Sequence, residues 1–98
     1  MDNFKICVIY TTRPDSREAF VEELIASGVL ESIRKEDGCI RYEYYYSAED
    51  ECKLVLFEEW QSKTHQQVHM TQPHMKLAME IKGKYVESVE LKELKIFQ

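Results

Sequence analysis

Four side chains that could do chemistry lie close together between residues 58 and 74. They are a carboxylate, Glu58, the only tryptophan, Trp60, and two imidazoles, His69 and His74. The first two close an apolar strand pattern, LFEEW, and the histidines follow in the helical pattern VHMTQPHMK. Because a strand-to-helix turn can fold such a span into one pocket, the spacing predicts a site in which an imidazole is the polar anchor of a small ligand.

Each of these residues also has a purely structural interpretation. Trp60 and Glu58 are two apart on a strand and share a face, so Trp60 could fill the core while Glu58 pairs with a lysine or arginine. His65 and His69 have an i,i+4 spacing that can bind metal. No carboxylate-histidine or cysteine-histidine signature accompanies them, so we predict no metal site and interpret His65 as a surface group.

Aromatic and methionine side chains could complete a pocket. Tyr44 shares one face of its predicted strand with Tyr42 and Tyr46, where the rings could stack on an aromatic ligand. Rings of this kind are also buried between subunits, and we predict that role for most of them. Met70 and Met75 could line a pocket wall for variable ligands or fill the core.

The elements that must position these residues alternate along the chain. Breaker residues and hydrophobic periodicity predict strands over 4–10, 39–46, 53–60 and 86–97, a helix from Asp15 or Ser16 to about Ile33, and helical pieces 64–71 and 74–84 on either side of Pro73. Gly38 is expected to take a positive φ before the second strand. The order β-α-β-β-α-β is the ferredoxin-like α+β pattern, with four antiparallel strands carrying the helices on one face.

The strands predict a cover for the second face of this sheet. Residues 6–10 and 54–57 are apolar at successive positions, whereas a sheet face in water would alternate apolar and polar residues. Leaving such side chains exposed would forgo about 1.5–3 kcal/mol each. The simplest cover is an identical sheet, so we predict a homodimer whose sheets pack face to face.

Composition limits the remaining function classes. The 98 residues predict one domain, 1–98, and the net charge of −5 argues against a nucleic-acid partner. No apolar run is long enough for a membrane span, and the first residues lack a signal-peptide pattern. The three cysteines show no CxxC spacing, so a reducing cytoplasm is the expected compartment.

Three segments, GCIRYEYYY, LFEEW and VHMTQPHMK, together resemble the antibiotic biosynthesis monooxygenase family. The resemblance covers nearly the whole chain. It implies a ferredoxin-like protomer, a dimeric α+β barrel formed through the sheets, and a small-molecule pocket between sheet and helices. Relatives of this kind include cofactor-independent oxygenases of polycyclic phenols, quinol monooxygenases, haem-degrading enzymes and an isomerase of a phosphorylated sugar.

The resemblance implies cofactor-free oxygenation of a small aromatic, phenolic or quinol substrate. A deprotonated phenol can reduce dioxygen itself, so the protein need only bind it, favour the anion and exclude water. His69 or His74 would stabilise or accept the phenolic proton, and Trp60 would pack on the ring or donate its indole N–H. Glu58 would orient one of them. No flavin, haem, nicotinamide or metal is expected.

Other activities of the family are less well matched. Haem-degrading relatives pair an asparagine of strand one with a histidine of the last helix, where this chain has Met79. Polyketide oxygenases carry an asparagine where this chain has Leu56. A sugar-phosphate isomerase would need a cluster of cationic residues to bind the phosphate, and the sequence does not group its lysines and arginines in that way. The alternative from another class is a non-catalytic dimeric protein of the same fold that binds a small molecule or acts in a stress response.

Overall fold

The computed structural model describes residues 3–95. Its strands are β1 (Phe4–Thr12), β2 (Cys39–Tyr46), β3 (Lys53–Trp60) and β4 (Val86–Leu94). Its helices are α1 (Arg17–Ser27), α2 (Val29–Arg34), α3 (Lys63–His69) and α4 (Met75–Tyr85). The predicted end of the last strand, at residues 96 and 97, lies outside the described residues.

The four strands form one antiparallel sheet in the order β2-β3-β1-β4. The central strands β1 and β3 pair directly, with Val8 opposite Leu56, and β2 and β4 form the two edges. The core lies between one face of this sheet and the helices, and includes Phe20 and Leu24 of α1. This arrangement confirms the predicted ferredoxin-like fold.

The two faces of the sheet are buried to different degrees. Even-numbered side chains of the central strands, such as Ile6 and Leu56, are buried under the helices. Odd-numbered ones, such as Ile9, Val55 and Phe57, are only half-buried on the open face. The successive apolar positions therefore reflect a packed inner face and an apolar outer face.

The predicted interface role of the tyrosine row is wrong for its two inner members. Tyr42 pairs with Glu58 and Tyr44 with Leu56, so both rings lie on the inner face of the sheet. Tyr44 stacks on Tyr10 with ring centroids 6.2 Å apart and meets Phe20 edge-on at the same separation. The register of β2 on β3, which the sequence of β2 alone does not specify, decided which face the tyrosines occupy.

The helices follow the predicted positions with one difference. A single helix was predicted up to about Ile33, but Gly28 has φ 81° and ends α1, and α2 begins at the next residue. The break at Pro73 is confirmed, because α3 ends at His69 and α4 begins at Met75. The longest described helices have 11 residues. Within residues 3–95, no helix is long and apolar enough to cross a membrane.

Candidate functional site

One carboxylate joins the two histidines predicted to be functional. Oε2 of Glu36 lies 2.9 Å from Nδ1 of His69 and 2.7 Å from Nε2 of His74. The Glu36 side chain is 9% exposed, and the His69 side chain 1%. We call these three residues the Glu36 network. A buried carboxylate shared by two imidazoles forms charge-assisted hydrogen bonds, which are shorter and stronger than neutral ones.

The network depends on three local features of the chain. His69 is the last residue of α3 and His74 directly precedes α4, so the helix break at Pro73 turns both imidazoles toward the same carboxylate. Glu36 lies in a turn that is closed by the N–H of Cys39, which donates to the Glu36 carbonyl at 3.1 Å. Gly38 occupies the third position of this turn with φ 81°, the left-handed region that glycine adopts without strain.

The contacts to Glu36 determine which nitrogens can accept a proton. A neutral imidazole that donates one N–H to a carboxylate keeps its other ring nitrogen as an acceptor. His69 uses Nδ1 for Glu36 and therefore retains Nε2, whereas His74 uses Nε2 and retains Nδ1. The same logic operates where a carboxylate orients a catalytic histidine. The network can thus take up a proton at an imidazole while the carboxylate stabilises the imidazolium.

Aromatic rings hold the His69 imidazole in place. Its centroid lies 4.6 Å from the Trp60 ring, and the two planes are tilted by 34°. Tyr42 meets it edge-on at 5.6 Å. These contacts leave His69 with little freedom to rotate, so the orientation set by Glu36 is fixed by packing as well.

Trp60 and Glu58 form a second polar pair beside the network. The Trp60 indole N–H donates to Glu58 Oε1 at 3.0 Å, and both residues are buried. Trp60 therefore fills the core, as one of the two sequence interpretations proposed. Glu58 accepts a hydrogen bond from the indole and does not pair directly with a lysine or arginine of the described residues. Burial raises the pKa of Glu58, and the Trp60 hydrogen bond and the charges of His69 and Lys82 oppose that rise.

The raised pKa of Glu58 predicts a pH-dependent effect of Glu58→Gln. The folded protein binds the Glu58 proton more tightly than the unfolded chain does, so stability falls as pH rises from the ordinary value of 4.5 through the folded-state pKa. Glutamine can still accept the indole N–H but has no charge to bury. We expect the variant to gain stability relative to the natural protein as pH rises from about 4 to about 8. Urea unfolding at several pH values, with Glu31→Gln as the exposed control, would measure this; a constant difference would contradict it.

A surface groove borders the network at Glu36. A cavity of about 410 Å³ is lined by Glu36, Asp37, Thr64, His65, Val68 and Gln72, and we call it the Glu36 groove. Its volume falls within the range of about 300–1,000 Å³ found for small-molecule sites. His65, predicted to be a surface group, is half-buried in its wall; its Nδ1 lies 2.7 Å from Ser62 Oγ. Glu36 therefore belongs both to the network and to the lining of the groove, and its side chain is 9% exposed.

Other residues that the sequence singled out have different surroundings. Met70 is 51% exposed, Met75 is buried in the core, and Tyr44 belongs to the aromatic cluster with Tyr10 and Phe20. Sequence reasoning missed Glu36 altogether. It lies 33 residues before His69, in the polar run KEDG, where a carboxylate ordinarily faces water.

The described residues contain no cluster of three or more metal-ligating side chains with the geometry to hold an ion. His69 Nδ1 and His74 Nε2, the atoms that converge, are both directed at the Glu36 carboxylate. The i,i+4 partner of His69, His65, is directed at Ser62 and Asp37 instead. The three imidazoles therefore do not share a single coordination centre within residues 3–95.

Comparison with known families identifies the broader class. The family model described as antibiotic biosynthesis monooxygenase matches residues 4–81, which include the complete Glu36 network. The chain belongs to the antibiotic biosynthesis monooxygenase family. This confirms the resemblance inferred from the three sequence segments, and membership by itself specifies no substrate.

Individual proteins resemble the chain to different extents. Rv0793 of Mycobacterium tuberculosis, described as a candidate monooxygenase, is 37% identical over 65 residues, 66% of this chain and 61% of that protein. Protein sll1783 of Synechocystis, described as uncharacterized, is 27% identical over 62 residues, 63% of this chain and 41% of that protein. The matched stretch thus spans less than two thirds of either protein.

Solved structures show the same fold. The structure of Rv0793 superposes with a TM-score of 0.81 at 30% identity, covering 99% of this chain and 97% of that one. PA3566 from Pseudomonas aeruginosa superposes with a TM-score of 0.85 at 19% identity, covering 100% of this chain and 97% of that one. At that lower identity the likeness concerns the fold alone.

Proposed function

We propose that the protein is a cofactor-independent monooxygenase that acts on a small phenol or quinol bound in the Glu36 groove. The observation that carries this proposal is the Glu36 network, in which a buried carboxylate orients two imidazoles next to a cavity open to solvent. Family membership supports the oxygenation chemistry. Because a deprotonated phenol can reduce dioxygen itself, the proposed reaction requires the protein mainly to supply a proton acceptor.

The proposed reaction begins with proton transfer. The substrate hydroxyl transfers its proton to a ring nitrogen that the network leaves free, Nε2 of His69 or Nδ1 of His74, and the Glu36 carboxylate stabilises the imidazolium, which compensates the phenolate charge. The electron-rich phenolate then reduces dioxygen and forms a carbon–oxygen bond at a ring carbon. Loss of the hydrogen on that carbon and release of water give the product. A quinol and dioxygen thus yield a hydroxyquinone and water, with one oxygen atom in each product.

Oxygen-isotope labelling tests this function directly. Purified protein that has been treated with chelator and supplied with a 1,4-naphthohydroquinone under oxygen-18 gas should give a hydroxyquinone carrying one heavy oxygen atom. Oxygen consumption should equal product formation, above the rate of spontaneous oxidation. Unlabelled product, hydrogen peroxide as the sole reduced species, or loss of activity that added metal restores would contradict the proposal.

A second candidate function is non-catalytic binding of the same class of ligand. The interior between sheet and helices favours it, because the buried rings of Tyr10 and Tyr42 fill this space together with Tyr44, which stacks on Tyr10 and meets Tyr42 edge-on. Such a protein would bind an aromatic ligand in the Glu36 groove without incorporating oxygen. Saturable quinol binding in the absence of labelled product would favour this candidate.

We also propose that the chain forms a homodimer through the open face of the sheet. Half-buried apolar side chains of the two central strands, including Ile9, Val55 and Phe57, lie on that face. Around them Lys5 pairs with Glu59, and Arg41 pairs with Glu43, as at the polar rim of an interface. Packing against a second copy would remove this apolar row from water.

Two substitutions distinguish a loss of dimerisation from a loss of the fold. Val55→Lys places a charge on the open face, so we expect a folded monomer with unchanged circular dichroism. Val8→Glu places a charge in the buried inner face and should unfold the protomer, because the side chain is only 4% exposed. Sedimentation of both variants and the natural protein would test this. A monomeric natural protein at micromolar concentration would contradict the dimer.

A further inference from the structure

The Glu36 groove carries an uneven set of charges. Two of its six lining residues, Glu36 and Asp37, are carboxylates, and none is lysine or arginine. Thr64, Val68 and Gln72 are uncharged, so any positive charge on the lining must come from an imidazole. A ligand in the groove therefore meets fixed negative charge and no fixed positive charge.

The two carboxylates differ in what they do. Glu36 is nearly enclosed and is occupied by His69 and His74. Asp37 is 94% exposed at its side chain, and its only ionic contact among the described residues is the His65 Nε2 at 3.5 Å. Asp37 therefore presents its charge to incoming ligands but takes no part in the Glu36 network.

We infer that the Glu36 groove selects uncharged quinols over anionic ones, and that Asp37 is the residue that determines this selection. The inference rests on the proposed function and narrows its substrate class. A sulfonate, carboxylate or phosphate substituent in the groove would lie near the Asp37 carboxylate. If the two charges are about 5 Å apart and the dielectric constant is close to that of water, their repulsion weakens binding about fourfold. A partly desolvated position would increase the effect to about tenfold or more. A phosphorylated sugar is disfavoured for the same reason.

Anaerobic binding of a matched ligand pair tests the inference. The probes are 1,4-naphthohydroquinone and its 2-sulfonate, titrated without oxygen against the natural protein and Asp37→Asn by calorimetry. The natural protein should bind the uncharged quinol at least fourfold more tightly. Asp37→Asn should narrow that ratio about fourfold by strengthening sulfonate binding, while the Kd of the uncharged quinol stays the same.

Glu31→Gln is the matched control, because it removes the same charge from an exposed carboxylate of α2 that pairs with Lys35. It should leave the ratio unchanged. An equal ratio in the natural protein and Asp37→Asn, an equal change in Glu31→Gln, or no binding of either quinol would overturn the inference. Since binding is measured without turnover, a protein that shows the predicted ratios but incorporates no oxygen would refute the monooxygenase proposal alone.

Discussion

Glu36→Gln is expected to lower kcat/KM for quinol oxygenation by about 100-fold or more, within the range seen when general acid-base groups are removed. Glutamine keeps the size of the side chain, so the packing around the buried network should survive. It removes the negative charge that stabilises an imidazolium at His69 or His74. Its amide can also donate toward a ring nitrogen, which disturbs the hydrogen-bond directions that leave the distal nitrogens free.

Steady-state oxygen uptake and thermal unfolding should be measured together for this variant. A large loss of activity with a small change in melting temperature would place Glu36 in the proton-transfer step. The exposed carboxylate variant Glu31→Gln should retain full activity. An active Glu36→Gln protein, or one that loses activity only because it unfolds, would exclude the proposed role of the network.

Gly38→Ala is expected to lower the free energy of unfolding by about 2–4 kcal/mol and to reduce activity as well. A Cβ at this position would overlap Cδ2 and Cγ of the His65 ring. The backbone also has φ 81°, which costs an alanine about 1–2 kcal/mol. Relief of the contact would move either α3 or the turn that carries Glu36, so the network would be disturbed together with the fold.

Substitutions at two other glycines distinguish the cost of backbone strain from the cost of the contact with His65. Gly28 has the same φ of 81°, but a Cβ added there would have no neighbouring atom within 4 Å, so Gly28→Ala should cost only the backbone strain of about 1–2 kcal/mol. Gly83 lies inside α4 with open space around it, so Gly83→Ala should be neutral or stabilising by up to about 1 kcal/mol. Urea unfolding of all three variants would test the order. Equal losses for Gly38→Ala and Gly28→Ala would show that the His65 contact has no energetic weight.

Local sequence patterns predicted most of the fold. The β-branched and aromatic runs and the break at Pro73 act over a few residues, and each appears where the pattern placed it. Gly28 was overlooked because a single glycine inside a helical pattern also occurs within continuous helices. The left-handed backbone of Gly28 ends α1, and α2 then buries Val29 and Ile33.

What the sequence determined by itself was the set of elements, their order and the presence of two histidines and a tryptophan in one stretch of chain. Only the tertiary structure decided that Glu36, 33 and 38 residues before the two histidines, is their shared partner. It also decided that the inner tyrosines face the helices. Periodicity and capping are properties of neighbouring residues, whereas strand register and a long-range hydrogen bond depend on how whole elements pack against each other.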